Sequence, residues 1–329
     1  MRATRDGRAG RAHQRWLAWV VGVALVVLPL GAGTLFNEYY LDLAARIVIV
    51  WIALLGFALL AGYTGLVSFG HAVFFGLGAY SAAWLLLHVT PDLPLSLVAG
   101  AAAAAIVAVA IGYLCIRTQG VYFILLTLAF AELGYTVVFN GGSITGGRNG
   151  LYGIPKGNIL IGGVPLLDWG DPVQAYYLAL VCFGFAYLVA RWITRSPLGS
   201  TFVAVRDNED RAAYLGYDVA SIKRRSFTIS AIFAGFAGAL WAHHQSFVSP
   251  ELLHWSLSGQ FIIMTWLGGV GTLVGPLIGG ALLLSLADIL SSFMKNWLVF
   301  FGILYIAVVL WAPMGLWGLV RRLLDRPRQ

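Results

Sequence analysis

Charged side chains are what this sequence carries least of. Asp, Glu, Lys and Arg make up 11% of its 329 residues, where an ordinary soluble domain carries about 25%. With 60% hydrophobic residues and a mean hydropathy of +0.83, that scarcity excludes a water-soluble globular chain. Cysteine is nearly absent too. Cys115 and Cys182 stand alone in apolar stretches, with neither paired spacing nor a His/Cys cluster nearby. They read as small core residues rather than a disulfide or a metal site. No Gly-Lys pair occurs anywhere. Without the GxxxxGK cradle of backbone amides and its lysine, the chain cannot grip a nucleoside triphosphate. HExxH, GxSxG and paired catalytic carboxylates are missing as well, which leaves no residue set for a membrane-embedded enzyme.

What is present is apolar chain in lengths that suit a bilayer, which needs roughly 20 residues per helical crossing. Spans are expected near 16–36, 41–61, 67–88, 94–116, 120–140, 173–194 and 226–246, then a long apolar region at 259–293 and a last span near 297–318. The 40 glycines and 12 tryptophans agree, since membrane helices use Gly for close packing and Trp collects at the lipid–water boundary. Arg2, Arg5, Arg8, Arg11 and Arg15 precede the first run as in a signal peptide. The run has full spanning length and more spans follow at once, so an uncleaved first helix is expected.

The basic residues set the orientation. Sixteen of the 21 Lys and Arg lie in the amino-terminal tail 1–15, the stretch 191–225 and the tail 321–329. Positive loops stay cytoplasmic, so all three are expected on that side, and the net charge of +7 needs no nucleic-acid partner. Parity then requires 259–293 to be a hairpin, broken within Gly268-Gly269-Val270-Gly271-Thr272-Leu273-Val274-Gly275-Pro276, where glycines and a proline end one helix and start another. The expected fold is therefore an all-α integral membrane protein of about ten transmembrane helices. It forms a single transmembrane domain over 16–320, with both termini cytoplasmic and one crossing free to be re-entrant.

A second broken segment is Gly62-Tyr63-Thr64-Gly65-Leu66-Val67-Ser68-Phe69-Gly70-His71. Each break precedes a small-residue helix, the pattern that an internal repeat leaves. Non-helical backbone at membrane depth survives only where protein buries it or it lines a water-filled path. Ionisable residues there are functional candidates for the same reason. Gly65, Ser68, Gly70, His71, Glu132, Gly269 and Gly271 are thus the expected translocation path. For Glu132 a path or gate role, a structural hydrogen bond and a proton relay stay open. For His71 the alternatives are helix capping and the path. Arg46 and Asp42, four apart, pair on one helix face. His243, His244 and His254 lack carboxylate or Cys partners at metal-site spacing.

The loop 195–225 is the most informative polar stretch. Asp207 suits an N-cap, Glu209 and Asp210 suit the positive end of a first turn, and Gly216 suits a C-cap. The result is a helix of about two turns with Ala212, Ala213 and Leu215 as an apolar patch. Being far below the roughly 12–15 residues a lone helix needs, it calls for a groove in a partner, a solvated connector being the alternative.

Six blocks then occur in order along nearly the whole chain. They are Gly65–Ala72 with Phe74–Tyr80, Thr145–Leu151, Ala204–Glu209 with Leu215-Gly216, Phe233–Leu240, Phe247–Glu251 and Leu267–Gly271. Together they resemble the Liv-type membrane permeases of branched-chain amino acid ABC importers. Leu66, Phe69 and Arg148 depart from the family's usual residues, and Gly216 comes one residue early after the Ala212-Ala213 pair.

The resemblance implies a permease subunit of the bacterial inner membrane that binds no cofactor, with ATP and Mg held by two separate ATPase subunits. Those would dock on Arg206, Asp207, Asn208, Glu209, Arg211, Ala212, Ala213, Leu215 and Gly216. It also implies a second related permease, in a heterodimer, and a periplasmic substrate-binding protein. The cargo would be a branched-chain amino acid or, as elsewhere in the family, urea, a short amide or an aromatic acid. An ion-coupled secondary transporter is the rival class. It would need intramembrane charges arranged as a relay, and only Glu132 is well placed.

Overall fold

Apolar residues on every side of most of its helices give this chain a core at its centre and a lipid-compatible surface around it. The computed structural model describes residues 38–156 and 171–293, with 160–161, 164–165, 299, 302, 306 and 315–318. The expected first span at 16–36, most of the last span at 297–318 and both tails, 1–15 and 321–329, lie outside the described residues.

Helix α1 (Glu38–Phe57) continues through a π-helical turn, Ala58–Thr64. It is followed by α2 (His71–His88), α3 (Leu93–Cys115), α4 (Val121–Phe139) and α5 (Pro172–Arg195). Two shorter helices, α6 (Pro197–Asp207) and α7 (Glu209–Tyr214), lead to α8 (Val219–Gln245), α9 (Trp255–Gly268) and α10 (Val274–Phe293). By length and composition, seven of the described helices can cross a membrane: α1 with its π turn, α2, α3, α4, α5, α8 and α10. The protein is an all-α multi-pass membrane protein.

The hairpin expected within 259–293 is present, with two refinements. Its unwound part is short, 269–273, and Pro276 falls inside the first turn of α10, where a helix can spare the missing N–H. Helix α9 has 14 residues, which at 1.5 Å each reach about 21 Å. That is short of the roughly 30 Å of a bilayer core, so α9 is a partial pass.

The passes run between two faces. On one lie α6, α7, the α3–α4 turn and both glycine breaks. Arg206 donates to the Gly62 carbonyl oxygen and Gln119 to Glu209 across it. On the other, Tyr39 at the start of α1 hydrogen-bonds Asp288 near the end of α10. There too Asp42 lies 2.5 Å from Arg46 and 2.9 Å from His244, and Ser96 bonds His243 at 2.6 Å. This second face also carries the short antiparallel pairing of Leu151–Tyr152 with Phe247–Val248.

Helices α1, α2 and α8 form the centre, and α8 meets α2 and α3 backbone to backbone. A Cβ on Gly78 would fall 2.1 Å from the Gly235 carbonyl oxygen, and one on Gly238 would fall 1.8 Å from that of Phe75. Bulk is forbidden at this crossing, which is how small residues let membrane helices approach. Outside it, Val98, Ile106 and Val109 of α3, Tyr122 and Val137 of α4, and Phe185 and Trp192 of α5 are exposed. That is ordinary where the solvent is lipid. Cys115 and Cys182 are buried, as their apolar surroundings suggested.

Candidate coupling site and translocation path

The stretch 195–225 contains more helix than its sequence suggested. Ser196 caps α6, its Oγ accepting from the Gly199 N–H at 3.4 Å, and Pro197 takes the first helical position. The expected cap at Asp207 is corrected: Asp207 is the last residue of α6, and Asn208 caps α7, its Oδ1 accepting from the Arg211 N–H at 2.8 Å. Both residues are good caps. The extension of α6 to Asp207 decides between them. Gly216 closes α7 as expected, at φ +88°. The Gly216 N–H donates to the Ala213 carbonyl and the Tyr217 N–H to that of Ala212, the paired bonds of a Schellman motif.

The apolar patch also needs correction. Ala212 is turned inward, only 2% exposed, so it anchors the helix. The outward side carries Ala213, Tyr214 (90% exposed), Leu215 (72%) and Tyr217. Helix α7 is tied down by its first residue. Glu209 Oε1 lies 2.5 Å from the Lys223 ammonium at the start of α8, and its Oε2 accepts from Gln119 at 3.5 Å. Lys223 is 3% exposed. Arg206, beside the cap, reaches away from α7 toward the Gly62 carbonyl oxygen, 2.7 Å from Nη1.

Sequence reasoning missed Lys223 as an individual, counting it only among the basic residues of 191–225. The signal was the phase of α8. Lys223 shares the buried stripe of Ser226, Phe227, Ser230, Ala234 and Ala237, whereas Arg224 and Arg225 do not. Gln119 and Gly62 left no comparable signal, because their partners are distant in sequence.

The expected path residues fall into three groups. The first is buried. Ser68 and His71 have no exposed surface. Ser68 Oγ accepts from the Gly70 N–H at 3.1 Å, and the Phe69 N–H donates to Thr127 Oγ1 at 3.1 Å. His71 Nε2 lies 2.6 Å from Ser230 Oγ, which in turn donates to the Gly56 carbonyl at 2.6 Å. Phe57, Phe74 and Phe227 wall the imidazole edge-on. Ser68, Gly70 and His71 are therefore turned into the protein in this conformation. Their hydrogen bonds hold the unwound 65–70 segment against α4 and α8.

The second group, Gly65, Gly269 and Gly271, has positive φ at all three positions and sits at the face that bears α7. Glu132 is alone in the third. It lies on α4 with its side chain 41% exposed and Oε1 3.7 Å from His254 Nε2. Tyr135, one turn along, packs edge-on against the same imidazole. Glu132 and His71 are not brought together. The three histidines toward the opposite face have separate partners: His243 bonds Ser96, His244 contacts Asp42, and His254 contacts Glu132 and Ser256. Among the described residues no group of three His, Cys, Asp or Glu could hold a metal.

Known proteins place this arrangement. Residues 39–310 match the family described as branched-chain amino acid transport system / permease component. The chain is 31% identical over 321 residues to the high-affinity branched-chain amino acid transport system permease protein LivM of Escherichia coli (strain K12), covering 91% of this chain and 75% of that one. It is 30% identical to LivM of Salmonella typhimurium over the same shares. To the corresponding permease protein BraD of Pseudomonas aeruginosa it is 26% identical over 285 residues, 80% of this chain and 90% of BraD. No solved structure matches. With one family covering 39–310, its blocks forming both glycine breaks, the α8 crossing and the short capped helix, the chain belongs to the permease components of branched-chain amino acid transport systems.

Proposed function

We propose that this chain is the membrane-spanning permease subunit of an ATP-driven bacterial importer. It carries a branched-chain amino acid, or a closely related small solute, delivered by a periplasmic binding protein. ATP hydrolysis comes from two separate ATPase subunits that dock on α7. The observation that carries the reading is α7 itself. It is a two-turn helix capped at both ends and fastened to α8 through Glu209 and Lys223, yet it presents Tyr214 and Leu215 outward. Exposed apolar side chains on a rigid, tethered helix suit a groove in a partner, and motion of that partner passes to α8 directly.

A second, related permease completes the path on the α4 side. Glu132 supports this, since a carboxylate facing lipid at membrane depth costs about 2.5–3.5 kcal/mol, whereas one facing a polar path does not. Ten crossings with both tails cytoplasmic follow if 16–36 and 297–318 each cross once. The described chain begins and ends at the face opposite the basic loop, so one crossing at each end returns both basic tails to it. A helical bundle with its basic loops on the cytoplasmic side is the form expected of a bacterial inner-membrane protein.

The test is reconstitution of the permease pair, both ATPases and the binding protein in proteoliposomes. Uptake of leucine, isoleucine or valine should require internal ATP and the external binding protein. Leu215→Asp should abolish uptake and binding-protein-stimulated hydrolysis while the chain still inserts, because burying one Leu contributes about 1.5–3 kcal/mol to docking. Uptake driven by a proton gradient without the ATPases would establish an ion-coupled carrier instead. Competition by urea, short amides or aromatic acids against labelled leucine sorts the cargo.

A further inference from the structure

The two glycine breaks meet at one side chain. Arg206 Nη1 donates to the carbonyl oxygen of Gly62, in the last turn of the α1 π segment, at 2.7 Å. Carbonyls there have no donor of their own within the helix. A Cβ on Gly65 would come within 2.9 Å of Arg206 Cγ, so the aliphatic stem lies across the first break. A Cβ on Gly271 would lie 3.5 Å from Nη1, and one on Gly62 would lie 3.1 Å from the Gly271 nitrogen. The second break therefore closes on the same point. The other edge of the guanidinium donates from Nε and Nη2 to Asp207 Oδ1 at 3.2 and 3.0 Å. Asp207 is bonded to Asn208, the cap that starts α7.

We propose that Arg206 is the latch of the gate at the basic face: its guanidinium holds the α1 break and the α9–α10 break together, and displacement of α7 withdraws it. The proposal deepens the reading of α7 as the ATPase docking helix and rests on it. Arg206 contacts backbone at the breaks and acts by positioning them. A planar fork with five donors serves Gly62 and Asp207 at once, which a lysine ammonium on the same stem does not. The glycines answer the same need from the other side, since side chains at 65 or 62 would push the stem or the neighbouring break away.

The test uses the full complex with Leu66→Cys as a reporter just inside Gly65. Leu66 is 9% exposed, and Cys115 and Cys182 are buried, so the background is low. In Arg206→Ala and Arg206→Lys alike, the ATPases should still co-purify. Labelling of the reporter by an impermeant maleimide from the basic face should rise about tenfold or more, the shift in a two-state equilibrium that losing one charge-assisted hydrogen bond brings. Binding-protein stimulation of ATP hydrolysis should fall with it, and Asp207→Asn, which leaves Gly62 untouched, should raise labelling in the same direction. Unchanged labelling with the ATPases bound overturns the latch. Loss of co-purification with unchanged labelling overturns it too and assigns Arg206 to docking. Raised labelling beside a normally coupled Leu215→Asp would keep the latch and sink the docking reading, so the two failures are separable.

Discussion

Lys223 is the residue whose chemistry is most exposed to test. Its ammonium is buried and its counter-charge, Glu209, is 37% exposed at the rim, so the pair is half desolvated. Removing one partner of such a pair leaves the other uncompensated, which costs more than the pair contributes. Glu209→Ala should therefore destabilise the protein by about 1–3 kcal/mol, seen as a lower melting temperature in detergent and faster proteolysis within 207–217. Lys223→Met together with Glu209→Gln should recover most of the melting temperature, because no buried charge is left. Docking of α7 should stay weakened in the double variant, since the tether is gone. A double variant no more stable than Glu209→Ala would mean that Lys223 is not the reason Glu209 matters. The neighbouring cap shows why single residues were only partly legible. Asp207 and Asn208 are both competent caps, and only the phase of α6, anchored by Phe202 and Val205 on its buried side, settles which one is used.

At the scale of elements, what was legible followed from punctuation. Gly62–Gly70 and Gly268–Pro276 read as breaks because glycine and proline end helices whatever surrounds them, and breaks are found at both. Helix α6 was missed although Ser196-Pro197 is a capping residue followed by proline at the first helical position, a start signal as good as those recognised elsewhere. Its low apolar content hid it inside a polar loop. His71 stayed open between helix capping and the path for a different reason. A histidine after a break looks path-lining until Ser230, 159 residues away, supplies its partner. The α2–α3–α8 crossing offers a clean prediction. Gly238→Ala places a methyl 1.8 Å from the Phe75 carbonyl oxygen, against backbone that cannot yield, whereas Gly184 on α5 has open space around its Cβ. The amount of membrane-inserted, detergent-stable protein should fall severely for Gly238→Ala and be unchanged or slightly higher for Gly184→Ala, since Ala favours helix over Gly by about 1 kcal/mol. Equal yields would mean that α8 can slide past α2, and that close packing there is not what orders the bundle.

Across the whole molecule, charge and geometry sort the loops by different signals. The sequence places sixteen basic residues in three segments, and positive-inside bias sends all three to one side. The structure, without reference to charge, gathers Arg117, Gln119, α6, α7 and both breaks at one face, and Tyr39, Asp288, Asp42 and His244 at the other. Of the three basic segments, 191–225 lies among the described residues, and it sits at the first of those faces. Cysteine accessibility joins them into one experiment on intact cells. Ala204→Cys on α6 and Tyr214→Cys are at the basic face, and both residues are exposed. They should react only after the membrane is permeabilised. Val89→Cys and Tyr152→Cys, exposed at the opposite face, should react in intact cells. A cysteine placed within 321–329 should behave like Tyr214→Cys if 297–318 crosses once, and like Tyr152→Cys if it does not. The second result would leave the seven described spans and α9 untouched while removing the tenth crossing. It would also strand four arginines on the outer side, against the rule that orients the rest of the chain.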